Sequence, residues 1–129
     1  MNRDPDDVRA EFREAVNMTP RELSRWLETP ESRSVGVTPR GTRRTRPGQV
    51  ESVGHASGRA IVAILEKKAA DLREDDYAHM RKVVGYVRRH LAQRPGGEHI
   101  EDSRWRYSLM NWGHDPLKDR PSRRRAGRA

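Results

Sequence analysis

Cysteine is absent from the 129 residues, which removes disulfides, thiolate metal sites and cysteine nucleophiles. Aromatic residues make up only 5%. Leu, Ile, Val and Phe together number 21, about 16%, which is below the ~20% under which a highly charged chain is suspected of disorder. No apolar run approaches the roughly 18 residues that span a bilayer, and the start, Met1-Asn2-Arg3-Asp4-Pro5, lacks a signal-peptide core. The expectation is therefore a soluble, cytoplasmic chain with no membrane partner, long enough for a single modest domain. His-Glu-x-x-His, His-x-x-x-His, Gly-x-x-x-x-Gly-Lys and serine-elbow patterns are also missing, so zinc-hydrolase, P-loop and α/β-hydrolase chemistry have no motif behind them.

What the chain has in excess is positive charge: 27 Lys and Arg against 19 Asp and Glu, a net charge of +8 and a pI near 10.7. The excess sits in two segments. Between Thr38 and Val50 stand Arg40, Arg43, Arg44 and Arg46 with no acid, and from Lys118 to the end six bases face only Asp119. These segments carry +4 and +5, which leaves the rest of the chain at −1. Guanidinium forks suit phosphate oxygens, and neutralising several phosphates releases counterions. Arg40, Arg43, Arg44, Arg46, Arg123, Arg124, Arg125 and Arg128 are accordingly candidate nucleic-acid contacts. Neither arm interleaves aromatics with its bases, as a single-strand or RNA binder would.

The apolar residues fall into helical periods. Val8, Phe12, Ala15 and Val16 share a stripe from about Asp6 to Val16. Thr19-Pro20-Arg21-Glu22 is a capping box with proline in the first turn, opening a helix that carries Leu23, Trp26 and Leu27 inward and stops at Thr29-Pro30. These two helices have the outline of a helix-turn-helix, but no recognition face is evident on the second. Residues 31–55 lose periodicity and contain Gly36, Gly41, Gly48, Gly54, Pro39 and Pro47, which reads as a long basic loop. Ser57 or Ser52 then caps a helix running to about Lys68 with Ile61, Ile64 and Leu65 inward. In the first case Ser57-Gly58-Arg59 would offer amides to an anion.

The strongest period runs from about Glu74 to Gln93, with Tyr77, Met80, Val83, Val84, Val87 and Leu91 on one face. Lys82 and Arg89, one heptad apart, are assigned to the opposite face and form a second candidate phosphate surface; the alternative for them is solvated charge complementing the helix dipole. A last helix spans about Asp102 to Asn111, and Gly113 is expected to be left-handed. Trp26, Trp105 and Trp112 read as core. His79 falls on the polar side of its helix. His55, His90 and His114, together with His79, Asp102 and Asp115, lack any ligand spacing, so no metal, cofactor or catalytic residue is expected and the reading is non-enzymatic.

Several runs of the body resemble a known family: Glu11-Phe12-Arg13-Glu14-Ala15-Val16-Asn17-Met18-Thr19-Pro20, Glu51-Ser52-Val53-Gly54-His55, Asp76-Tyr77-Ala78-His79-Met80-Arg81-Lys82-Val83-Val84-Gly85-Tyr86-Val87, and above all Trp105-Arg106-Tyr107-Ser108-Leu109-Met110-Asn111-Trp112-Gly113-His114-Asp115-Pro116. The family consists of short, mainly actinobacterial proteins of unknown function, often labelled DNA-binding, and the resemblance implies that label without supplying any site residue.

Composition, period and resemblance together give an all-α domain over residues 1–117. It is a small bundle of four or five short helices with a basic loop at 31–55 and a disordered basic tail at 118–129. The expected function is low-specificity binding of duplex DNA by phosphate neutralisation, with RNA the other polyanion that fits. The competing class is a protein-interaction module or homodimer whose arginines serve solubility.

Overall fold

The computed structural model describes residues 4–39, 41, 43, 50–96 and 99–118. Six α-helices run through them: α1 (Pro5–Ala15), α2 (Pro20–Leu27), α3 (Pro30–Arg33), α4 (Val53–Leu65), α5 (Glu74–Leu91) and α6 (Arg104–Asn111), with a 3₁₀ turn at Ala69–Asp71 between α4 and α5. Among the described residues there is no strand, only an isolated antiparallel bridge between Val37 and Arg43. The expected all-α bundle is what is found.

Most helices start where side-chain oxygens can accept the orphan amides of a first turn. The capping box of α2 closes in both directions, Glu22 N–H to Thr19 Oγ1 at 3.1 Å and Thr19 N–H to Glu22 Oε1 at 2.8 Å. Thr29 accepts from Ser32 N–H (3.1 Å), Ser52 from His55 N–H (3.0 Å) and Ser103 from Arg106 N–H (3.1 Å). At α5 the N-cap is Arg73, and the acceptor is Asp76, which takes Arg73 N–H at 3.0 Å and Lys67 Nζ at 2.9 Å.

Three expectations at element level are corrected. The loop placed at 31–55 is shorter: Thr29 caps a helical turn, α3, at its start, α4 begins at Val53 at its end, and Val35, Thr38 and Ser52 between them are buried. Since Ser52 is the cap, Ser57-Gly58-Arg59 lies in mid-helix with its amides already bonded, and the anion site suggested for it has no physical basis. The helix-turn-helix outline also dissolves, because α1 packs along α5 whereas α2 packs on α4 and α6.

The core collects Val8 and Phe12 of α1, Leu23 and Leu27 of α2, Ile61 and Ile64 of α4, Met80, Val83, Val84 and Val87 of α5, and Trp105, Leu109 and Trp112 in and beside α6. Leu91, expected inward, is 36% exposed because it ends the helix beyond its neighbours. α4 approaches α2 and α6 at a glycine: a Cβ on Gly58 would lie 2.5 Å from the Asn111 carbonyl oxygen and 2.7 Å from Leu27 Cδ2.

The end of α6 is the best-tied part of the molecule. Gly113 takes φ +85°, and the Gly113 N–H to Met110 carbonyl (2.9 Å) and His114 N–H to Leu109 carbonyl (3.0 Å) bonds form a Schellman cap, as expected for a left-handed Gly113. Asn17, between α1 and α2, clamps the turn that follows, its Oδ1 accepting Asp115 N–H at 2.8 Å and its Nδ2 donating to the Asp115 carbonyl at 3.0 Å. His114 Nδ1 donates to the Ala15 carbonyl at 2.8 Å, and Arg106 grips the Asp115 carboxylate with two bonds of 3.1 Å. Burial pushes the Asp115 carboxyl up, but the Arg106 fork, the Leu117 N–H bond and the neighbouring positive charge together more than offset it and leave the group below its usual range.

Candidate functional site

The 3.6-residue period places Lys82, Tyr86 and Arg89 on one stripe of α5. This stripe is not the solvated face opposite the core that the sequence suggested. Facing α6, it forms a wall of a cleft of about 410 Å³ whose other lining residues include Gly36, Val37, Val53, Gly54, Ser108 and Trp112. The period of the core residues concealed this second packed face, because aromatic and basic side chains, not aliphatic ones, make it.

The wall is backed by a column of near-parallel rings drawn from α5 and the α6 region. His79 lies 6.4 Å from Trp112, Trp112 4.2 Å from Tyr86, Tyr86 5.1 Å from His90, and His90 6.2 Å from Trp105, all with interplanar angles of 11° to 16°. Arg94 closes the end, its guanidinium carbon 5.5 Å from the Trp105 ring centroid. Trp105 and Trp112 are core, as expected. His79 is corrected: it is half-buried in this column and hydrogen-bonded through Nε2 to Ser57 Oγ at 2.9 Å, because α4 covers that side of α5.

Asn111 holds the arrangement from beneath. It is 1% exposed, and both ends of its amide are engaged: Oδ1 accepts from Trp26 Nε1 (2.8 Å) and Ser32 Oγ (2.5 Å), and Nδ2 donates to the Ser32 carbonyl (3.0 Å). Trp105 Nε1 donates to the His90 carbonyl at 2.7 Å. The third indole, Trp112, is 4% exposed, its Nε1–H meets no acceptor among the described residues, and a Cβ on Gly54 would stand 2.8 Å from that nitrogen. Glycine at 54 thus lets the start of α4 close over the indole edge.

Among the described residues no acid lines the cleft. Lys82 and Arg89 are exposed, and neither has a carboxylate partner among the described residues; the Arg89 guanidinium lies back over Gly85, where an added Cβ would be 3.0 Å from its Nη1. Arg43, across the bridge from Val37, is near enough to Arg104 of α6 to add to the effect of burial in lowering that guanidinium's pKa. Burial pushes the Tyr86 phenol up to about 12, and burial followed by the Lys82 charge pushes the His79 imidazole down. His90 is likewise lowered by burial, and its Nε2 has no hydrogen-bond partner.

A second cleft, of about 430 Å³, shares Val53 and Lys82 with the first and holds Glu51. That acid is already committed: Arg59 donates to it at 2.6 and 2.8 Å, and His55 Nδ1 lies 2.5 Å away while His55 Nε2 faces the Leu27 carbonyl at 2.7 Å. Arg59 holds the Glu51 carboxyl down to about 2 against the effect of burial, with His55 adding to the pull.

Of the residues singled out from the sequence, Lys82 and Arg89 are brought together on the cleft and Arg43 lies beside Arg104. Arg40, Arg44, Arg46, Arg123, Arg124, Arg125 and Arg128 lie outside the described residues. Tyr86, Ser108, Trp112, Gly54 and Arg104 were missed. Only Tyr86 carried a usable signal, its spacing from both cations. His55, His79, His90 and His114 are dispersed, and no group of three acids or histidines among the described residues could hold a metal ion. No helix is long and apolar enough to cross a membrane among those residues.

These elements define a small all-α bundle with a donor-rich, ring-backed cleft on one face. The chain belongs to the family described as protein of unknown function (DUF3140), whose model matches residues 11–110. No curated protein and no solved structure matches it. The resemblance read from the sequence therefore holds at the level of the family, whose description names no ligand.

Proposed function

We propose that this protein binds nucleic acid, chiefly duplex DNA, by phosphate neutralisation and without chemistry of its own. The observation that carries the reading is the pairing of Lys82 and Arg89, two exposed cations with no carboxylate partner among the described residues, on a face whose lining contains no acid. Ordinary surface lysines and arginines are diluted by neighbouring acids, as Arg59 is by Glu51 and Lys67 by Asp76. A face that keeps its cations uncompensated attracts a polyanion and releases its counterions. Arg43 beside Arg104 extends the positive edge, and the arginines of residues 40–46 and 123–128 add reach. Duplex is favoured over single strand because the rings at the cleft are stacked on one another, leaving no open ring face there for a base. On this reading the protein works in the cytoplasm, at the nucleoid, and RNA helices compete through the same phosphates.

The competing reading, an interaction module or homodimer, rests on apolar surface. The exposed large apolar side chains among the described residues are Val37, Val50, Leu91 and Leu117, which are scattered: the first two edge the clefts, Leu91 ends α5 and Leu117 lies beyond α6. Titration of a labelled duplex at several salt concentrations separates the readings. Binding that weakens steeply with salt is expected, and Lys82→Ala with Arg89→Ala should reduce the slope of log K against log salt by about 2, one per lost phosphate contact. Absence of binding to duplex at low salt defeats the proposal.

A further inference from the structure

The cleft between α4, α5 and α6 is larger and more apolar than phosphate contact requires. Its volume of about 410 Å³ falls within the roughly 300–1,000 Å³ of pockets that enclose small molecules. Val37, Val53 and the rings of Trp112 and Tyr86 make apolar walls, and the charged groups on those walls among the described residues are both cations, the Lys82 ammonium and the Arg89 guanidinium, with the Trp112 Nε1–H beside them. The Asn111 side-chain carbonyl oxygen is taken up by Trp26 and Ser32. Tyr86 is stacked with Trp112 at 4.2 Å and with His90 at 5.1 Å.

From this pattern of cations without acids on apolar walls, we infer that the cleft binds a small organic anion, a flat apolar body with a single oxyanion head. The body lies against Val37, Val53 and the indole edge, and the head, carboxylate or phosphate monoester, is held by Lys82 and Arg89. A neutral ligand of the same shape leaves both cations facing apolar groups, and an inorganic anion leaves the walls wet. The site stands independently of the nucleic-acid reading, although the two share Lys82 and Arg89.

The three indoles make the test direct, because Trp26 and Trp105 have their N–H groups bonded inside the protein and Trp112 does not. In a proton–nitrogen correlation spectrum of the full chain, titration with 2-naphthoate should move the Trp112 indole resonance and leave the other two in place. The resonance is assigned from its loss in Trp112→Phe, or by sequential assignment where that variant fails to fold. 2-Naphthamide should bind at least about tenfold more weakly, and Lys82→Gln with Arg89→Gln should weaken naphthoate by a similar factor with an unchanged thermal melt. An immobile Trp112 resonance at millimolar naphthoate overturns the site. Equal binding of the amide, or undiminished binding by the double variant, overturns its anionic character. Inorganic phosphate acting as strongly as naphthoate overturns the apolar half. None of these outcomes depends on whether duplex binds.

Discussion

Asn111 satisfies three buried partners with one amide, and the consequence of losing it can be stated. Asn111→Leu leaves the Trp26 N–H, the Ser32 hydroxyl and the Ser32 carbonyl without their bonds, and a buried unsatisfied group costs about 1–3 kcal/mol. A loss of about 3 kcal/mol or more in urea unfolding is expected, with the Trp26 fluorescence changed. Gly58→Ala acts by intrusion, since the new Cβ would sit 2.5 Å from a backbone oxygen, and overpacking of this kind costs about 1–3 kcal/mol. Glu51 supplies a pH signature. Its folded pKa lies near 2 against an ordinary 4.5, so its contribution is complete above 4.5 and lost as pH falls towards 2. The stability gap between the parent and Glu51→Gln should narrow over that window. His79 and His90, whose pKa values are lowered from 6.5 by burial, also resist protonation in the folded state, so stability they contribute is present above 6.5 and declines as pH drops below it. Phenylalanine at position 90 should remove part of that decline.

At the scale of elements, caps and periods in the sequence were sufficient for the helices, because each rests on neighbours within a turn or two. Thr19-Pro20-Arg21-Glu22 and Gly113 were legible for that reason. α3 escaped notice since a helix of four residues has no period to read, and its only mark, Thr29-Pro30, serves equally as a stop signal. The choice between Ser52 and Ser57 could not be made locally. It is decided by packing of α4 against α2, with Gly58 at the closest approach. Ser52→Ala should cost about 1 kcal/mol, measured by thermal unfolding, whereas a true interior serine would give almost nothing. The cleft was the least legible part. Its wall on α5 combines Lys82, Tyr86 and Arg89, residue types that read as surface, and the ring that gives them meaning, Trp112, is contributed from 26 residues beyond Tyr86.

For the whole molecule, the two basic segments carry +9 and the rest of the chain −1, yet Lys82 and Arg89 of the cleft belong to that nearly neutral remainder. If duplex and small anion both use Lys82 and Arg89, saturating 2-naphthoate should lower duplex affinity at fixed salt, read by fluorescence anisotropy. In the Lys82→Gln, Arg89→Gln variant the residual affinity should be indifferent to the ligand.

The clamp between Asn17 and Asp115 joins residues 98 positions apart, and the Lys118 ammonium adds bonds to the Asn17 carbonyl at 2.8 Å and to Glu22 at 2.6 Å. That seam bears on biosynthesis. The junction of α1 and α2 is translated well before the groups that complete it, so the end of α1 is sealed only once Asp115 has been made. Contacts this distant in sequence close late, so this seam forms only after the segments between its two sides have been made. A chain stalled or truncated before Asn111 would present Val16, Met18 and Trp26 uncovered, the state in which chaperones and proteases would find it.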